Sequence, residues 1–365
     1  MELPAMEPHP PGDDGSEVLD RYVLPSRRGV ASDIVSTIGD TPLVALNRVF
    51  PGSPLRIFAK LEGFNPSGSI KVRAAYRILR HALDTGALFP GATVIESSSG
   101  NMGIALAQLC TYFGLRFVCV IDTRTTAENI AILHAYGAEV EMVSEPDPAT
   151  GELVQARIDR VQSLLRSTPS SFWPDQYSNV YNAVAHHETM REIVTQLGRT
   201  VDHLFCATST CGTLRGCVEY VREHRLPTEV IAVDAVGSVI FGGPPGPRLI
   251  PGHGAGKRPN LWQPDLADRC VHVSDLDCIV GCRRLLRREA ILAGGSSGGV
   301  LAALERVAPE LRRGAVCVLV FPDQGERYAH SIYSDAWVRQ HFGDVSDRWL
   351  GHQGEAPWMT AMSSS

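Results

Sequence analysis

Short apolar runs and amphipathic stretches alternate along most of the chain. The runs at 57–62, 93–96, 116–121, 139–143, 203–207, 229–234 and 316–321 have strand length and are rich in β-branched and aromatic residues. Between them, 100–113, 126–136, 152–165, 183–197, 213–224, 278–289 and 298–307 carry apolar residues at helical spacing. A further helix opens at Lys71, where Val72, Ala75, Leu79 and Ala82 fall on one face. Such alternation predicts parallel βαβ units, with helices on both faces of the sheets and ligand sites at the C-terminal ends of the strands. A break at 169–182 separates two such sheets. It divides the chain into a tail (1–32), an N-terminal domain (33–180), a C-terminal domain (181–342) and a second tail (343–365).

The joints between strands and helices carry the chemistry. Asn65-Pro66-Ser67-Gly68-Ser69-Ile70-Lys71 is a tight loop from a strand into a helix. A lysine at a buried helix start meets the positive end of the dipole and loses solvation, and both effects lower its pKa. That is what an amine needs to form a Schiff base with an aldehyde; the plain alternative is a solvated surface lysine. Ser97-Ser98-Ser99-Gly100-Asn101-Met102-Gly103 follows the next strand and opens the next helix. Its N–H and hydroxyl groups suit a carboxylate or phosphate, or a simple serine cap. Ser209-Thr210-Cys211-Gly212-Thr213 repeats the arrangement without the lysine of a nucleotide-binding P-loop, which suits a compact phosphate monoester. Gly294-Gly295-Ser296-Ser297-Gly298-Gly299 is a third such joint.

Composition narrows the classes. The chain has 365 residues, 44% hydrophobic and 20% charged, enough for two ordinary domains with substantial cores. A net charge of −6 argues against nucleic acid or an anionic membrane as partner. The nine cysteines sit mostly in apolar stretches, as buried thiols of a reducing, cytoplasmic compartment do. Cys278 and Cys282, at helical spacing, lack the second pair a zinc site needs and read as core packing, so no metal is expected. No apolar run approaches the ~18 residues of a membrane span, and the tail to Arg28 lacks the apolar core of a signal peptide. The pair His186-His187 reads as ordinary helix surface, and Cys211 as a small loop residue.

Taken together, Ile38-Gly39-Asp40-Thr41-Pro42-Leu43, the lysine loop and the three Gly/Ser loops resemble the fold-type II pyridoxal-phosphate enzymes. This is the family of cysteine synthase and cystathionine β-synthase, and the resemblance runs from about Asp33 to Phe342. It implies two three-layer αβα domains of the tryptophan synthase β-like class, a pyridoxal 5'-phosphate cofactor and a homodimer. It gives Lys71 the Schiff base, Asn101 the cofactor's phenolic oxygen, and Ser209, Thr210, Cys211, Gly212 and Thr213 its phosphate. Ser296 would face the pyridine nitrogen. Ser98, Ser99, Gly100 and Met102 would take the substrate carboxylate. A serine at the ring nitrogen tempers the electron sink and favours β-elimination chemistry. The chain departs from the usual Lys-Asp-Arg of cysteine synthases in reading Lys71-Val72-Arg73, which changes the electrostatics of the helix start.

Within that family, segments 173–177, 233–242, 249–255 and 321–328 resemble the branch that eliminates phosphate from O-phospho-L-serine. These enzymes then add the amino group of L-glutamate and supply 2,3-diaminopropionate for siderophores or nonribosomal peptide antibiotics. One observation is independent of the resemblance. Arg157 projects from the middle of the apolar arc formed by Leu153, Val154, Ile158, Val161, Leu164 and Leu165. A buried arginine needs a partner: a phosphate, an internal ion pair, or a snorkelling path to water. Tyr177 and Ser209 are placed to touch the leaving group. The alternatives are a cysteine synthase using O-acetyl- or O-phosphoserine with sulfide, and a non-catalytic scaffold, which would need neither Lys71 nor the loops.

Overall fold

The computed structural model describes residues 29–148 and 153–350. Among these residues, ten strands form two sheets. The larger takes β1 (Leu43–Ala45), β2 (Arg56–Leu61), β7 (His203–Ala207), β8 (Glu229–Ala235), β9 (Arg269–Val273) and β10 (Val316–Phe321), in the order β1-β2-β10-β7-β8-β9. The smaller takes β3 (Thr93–Ser97), β4 (Arg116–Asp122), β5 (Glu139–Val143) and β6 (Ser171–Phe172), in the order β5-β4-β3-β6. Every pairing is parallel except that of β1 with β2.

The helices are α1 (Lys71–Asp84), α2 (Asn101–Phe113), α3 (Ala127–Ala135), α4 (Leu153–Ser167), α5 (Val180–Leu197), α6 (Gly212–Glu223), α7 (Asp275–Glu289), α8 (Gly295–Val307), α9 (Asp335–Phe342) and α10 (Asp347–Leu350). The period-2 alternation of the strands builds a core on each face of each sheet. On β10, Cys317, Leu319 and Phe321 pack with α7 and α8, while Val318 and Val320 face α5 and α6. On β4, Phe117, Cys119 and Ile121 pack with α1 and α2, while Val118 and Val120 meet Val161 of α4. Each sheet is thus the middle of three layers, as the alternation of elements predicts.

Three expectations are corrected. A contiguous division at residue 180 does not follow the sheets. Residues 43–61 pair into the larger sheet and residues 93–172 make the smaller one, so the chain crosses over at the lysine loop and returns at α5. Residues 343–350 are not a loose tail: Trp349 is buried in the larger core, with the Arg283 guanidinium 5.0 Å from its ring centroid. One aromatic side chain buries enough apolar area to hold a short helix down. The rest of that tail, and residues 1–28 of the first, lie outside the described residues. Finally, His186 is not on a helix surface; it is 1% exposed, because α5 turns that face to α6.

Candidate active site

In the parallel order β2-β10-β7, the loops after these three strands emerge side by side. They are the lysine loop, the loop at Asp323 and the 209–213 loop. The Ile70 N–H donates to Pro322 O (2.7 Å), and Ser69 pairs with Asp323 across an isolated antiparallel bridge. Ala293 pairs likewise with Gln324, which brings in the start of α8. The α8 joint is so close that a Cβ on Gly294 would lie 1.9 Å from Asp323 Oδ1. The smaller sheet supplies the fourth wall, since Asn101 Nδ2 donates to Asp323 Oδ2 (2.8 Å).

Helix capping separates this region from the rest of the fold. Helices α3, α5, α7 and α9 begin with Thr126, Asn179, Ser274 and Ser334, whose side chains accept a first-turn N–H. At α1, α2, α6 and α8 the cap positions are Ile70, Gly100, Cys211 and Gly294, and none contributes a side-chain cap. Four helix starts that carry partial positive charge therefore gather around Asp323 and the lysine loop. They suit a ligand with a phosphate at one end and a carboxylate at the other.

Lys71 is the first residue of α1 and is half-buried, not solvated. Among the described residues its Nζ has no hydrogen bond or ion pair. Burial lowers its pKa, against the opposing pull of Asp323 and the Cys211 thiol. The helix is seated from below by a buried charge network. Arg73 binds Glu62 (2.6 and 2.8 Å) and Glu192 (2.7 and 2.8 Å), and Lys60 Nζ donates to Glu192 (2.6 Å), Thr41 O (2.7 Å) and Gln196 (3.1 Å). Asn65, at the start of the lysine loop, donates to Glu62 (2.9 Å) and accepts from the Gly39 N–H (2.9 Å). The two cations and two carboxylates cancel, and each finds several partners, which is what buried charges require.

In the 209–213 loop, Cys211 adopts the left-handed conformation (φ 66°) that turns the strand into α6. Its thiol is pushed up to about 12, by burial first and then by Asp234, so it stays neutral. Asn182 of α5 donates to Thr210 Oγ1 (3.2 Å), and His186 Nε2 lies 3.3 Å from Thr213 Oγ1. Burial, then the charges of Arg73 and Lys71, hold the His186 imidazole well below its usual pKa and therefore neutral. A Cβ on Gly212 would lie 2.1 Å from Asn182 Oδ1, so this wall admits only glycine there. Ser209 and Thr213 are half-buried at the same loop, and Ser296 is buried in the first turn of α8.

On the other wall, Ser98 Oγ accepts the N–H groups of Gly103 (2.9 Å) and Gly100 (3.4 Å), leaving its own proton to donate. Asn129 holds Ser99 O (3.0 Å). Met102 is 2% exposed and its side chain packs into the small-sheet core, so only its backbone faces a ligand. Arg157 is buried behind this loop, with Nε 3.3 Å from Asp122 Oδ2. The internal ion pair is therefore present, yet Nε has no hydrogen-bond partner among the described residues. Arg157 also acts electrostatically on Cys119, whose thiol donates to Ser98 O (3.1 Å), and on half-buried Tyr177.

Several groups escaped the sequence reading: Asp323, Arg327, Tyr328, Asn182, His186 and Glu96. Asp323 accepts from Tyr328 OH (2.6 Å) as well as Asn101, and Arg327 donates to Asn101 Oδ1 and to Ser67 O (2.7 Å). For Asp323, Arg327 and Tyr328, the place directly after β10 at the ligand edge of the sheet was the available signal. Among the described residues no group of three or more metal-ligating side chains occurs, and no helix is long and apolar enough to cross a membrane.

The chain is 46% identical over 310 residues to N-(2-amino-2-carboxyethyl)-L-glutamate synthase of Ralstonia nicotianae, covering 85% of this chain and 91% of that one. It is 44% identical over 313 residues to the synthase of the same name from Cupriavidus metallidurans, covering 85% and 92%. A solved O-acetylserine dependent cystathionine β-synthase from Helicobacter pylori superposes with a TM-score of 0.78 at 29% identity, covering 84% of this chain and all of that one. Residues 34–323 match the family model of the pyridoxal-phosphate dependent enzymes, and the chain belongs to that family.

Proposed function

We propose that the enzyme carries out β-replacement on O-phospho-L-serine, releasing phosphate and adding L-glutamate to give N-(2-amino-2-carboxyethyl)-L-glutamate, a precursor of 2,3-diaminopropionate. Both curated relatives above are named as synthases of that product. The observation that carries the choice of a phosphorylated substrate is Arg157: a buried guanidinium behind the Ser98 loop, with one carboxylate neighbour and an Nε that lacks a hydrogen bond. A second anion satisfies it in the bidentate way that guanidinium favours.

The site fits pyridoxal phosphate. The α6 start and the hydroxyls of Ser209, Thr210 and Thr213 would hold its phosphate, Lys71 its aldehyde, Asn101 its phenolic oxygen and Ser296 its ring nitrogen. When bound, the cofactor supplies an electron sink that loosens the substrate's α-proton and lets the β-substituent depart. Lys71 moves that proton. Its lowered pKa makes the free amine available as base, and it returns the proton once the second substrate has added. The starts of α2 and the 98–102 backbone orient the substrate carboxylate, and Arg157 with Tyr177 neutralises the departing phosphate. The enzyme works as a cytoplasmic homodimer.

Mass spectrometry of the products from phosphoserine with glutamate, and with sulfide, tests this reading. The expected result is N-(2-amino-2-carboxyethyl)-L-glutamate with stoichiometric phosphate; cysteine from sulfide with no glutamate adduct would make the enzyme a cysteine synthase.

A further inference from the structure

Glu96 is the last but one residue of β3 and stands two residues before Ser98. It is 1% exposed, and three N–H groups converge on its carboxylate. Oε1 accepts from Ser97 N (2.8 Å) and Trp173 Nε1 (3.2 Å), whereas Oε2 accepts only from Gln176 N (3.3 Å). No cation pairs with it among the described residues. Gln176 continues the chain of bonds, because its own carbonyl accepts from Asn182 Nδ2 (2.7 Å) and Asn182 also donates to Thr210 Oγ1 (3.2 Å). One carboxylate thus connects the loop before α2 to the loop before α6 through a single residue, Gln176, and Tyr177 is the next residue. We propose that Glu96 is a positioning residue that acts as a protonation-controlled pin: ionised, it fixes the 173–177 segment between the two loops; protonated at Oε2, it releases that segment.

The asymmetry of the bonds chooses the oxygen. A proton on Oε1 would displace two donors, and a proton on Oε2 only one, so Oε2 takes it and then presents O–H to the Gln176 N–H, donor against donor. The groups facing the carboxylate favour a poised state. Cys119 from β4 is neutral, with its thiol pushed up to about 12, and Tyr177 stays a neutral phenol because burial raises it, while Asp175 from the pinned segment opposes the ionised form of Glu96. Arg157 of α4 acts on Cys119 and Tyr177 and is itself paired with Asp122. Burial, partly offset by the three N–H donors, raises the Glu96 carboxyl to about 7. A resting pH change near neutrality therefore switches the pin.

The inference rests on the proposed assignment of 98–102 to the substrate and 209–213 to the cofactor phosphate, so its test avoids turnover. In the holoenzyme, the dissociation constant of pyridoxal phosphate and the fluorescence contributed by Trp173 (the difference from Trp173→Phe) are followed from pH 5.5 to 8.5. The unsubstituted protein is expected to show a one-proton transition near pH 7 in both, with cofactor affinity falling about two- to tenfold on the acid side, the size of one peptide hydrogen bond. Glu96→Gln places an amide N–H where the protonated acid has its O–H. It should lack the transition and behave at pH 8 as the unsubstituted protein does at pH 6. A transition that survives in Glu96→Gln overturns the proposal. So does its absence from the Trp173 signal of the unsubstituted protein, a result that needs no Glu96 variant to fold and leaves the substrate assignment standing.

Discussion

Replacing Glu192 with Gln is the sharpest test of how the lysine loop is seated. Glu192 is 2% exposed and holds two cations at once, Lys60 through Oε2 and Arg73 through both oxygens. Gln keeps the volume and removes the charge, so Lys60 and Arg73 are left with Glu62 as the sole carboxylate of the cluster. Two independent routes give the cost. Burial alone would raise the Glu192 carboxyl, but Arg73 and Lys60 outweigh it and bring the group from 4.5 to about 2. That shift corresponds to about 3 kcal/mol of stability. Removing one partner of a buried pair costs about 3–5 kcal/mol in general. Because the folded-state pKa is depressed, the contribution is complete above the unfolded value and is lost as pH falls toward 2; about 2 kcal/mol of it should be gone by pH 3. Urea unfolding, followed by circular dichroism at a fixed saturating cofactor concentration, measures the difference between Glu192→Gln and the unsubstituted protein at each pH. A loss at pH 7 below about 1 kcal/mol, the size of an exposed ion pair, would refute the reasoning. So would a gap that does not narrow in acid.

Arg157→Ala should raise KM for phosphoserine at least about tenfold, one charge-assisted contact, while leaving KM for O-acetylserine nearly unchanged; equal effects on both would make Arg157 a purely structural partner of Asp122. Gly298→Ala should destabilise by about 3 kcal/mol or more through overpacking. Its Cβ would lie 1.9 Å from Cys278 O and 2.6 Å from Cys282 N, with Gly281 equally tight on the facing helix. A thermal midpoint unchanged in that variant would show that α7 and α8 can separate freely.

Legibility in the sequence followed the range of the forces involved. Interior parallel strands read clearly because both faces are covered: all six residues of β10 are buried and all six are apolar. β1 did not, being three residues long, largely exposed and antiparallel. β9 did not either, since its edge position tolerates Arg269 and His272, which break the apolar run. The helix-start loops were legible because runs of glycine and serine between a strand and a helix are local signals. Roles set by partners far along the chain were not. Arg157 was seen to be buried, but Asp122 is on another strand and no periodicity points to it. Lys60 and Glu192, among the most buried charged residues, meet only when β2 and α5 pack together. His186 was misread because a helix that is covered on one side by α6 looks, in sequence, like one that faces water there.

The place of β10 sets the order in which this protein can become an enzyme. Among the described residues it is the last strand, yet it lies between β2 and β7 and is the strand that joins β1 and β2 to β7, β8 and β9. A nascent chain can complete the small sheet as soon as residue 172 is available, but the end of the lysine loop and Asn101 lack their β10-side partners until Pro322 and Asp323 arrive to receive them. A ribosome-bound or truncated chain ending before that point would hold every strand of the cofactor site except the one that closes it. Capacity to retain the cofactor should therefore appear abruptly, late in synthesis, rather than accumulate with chain length.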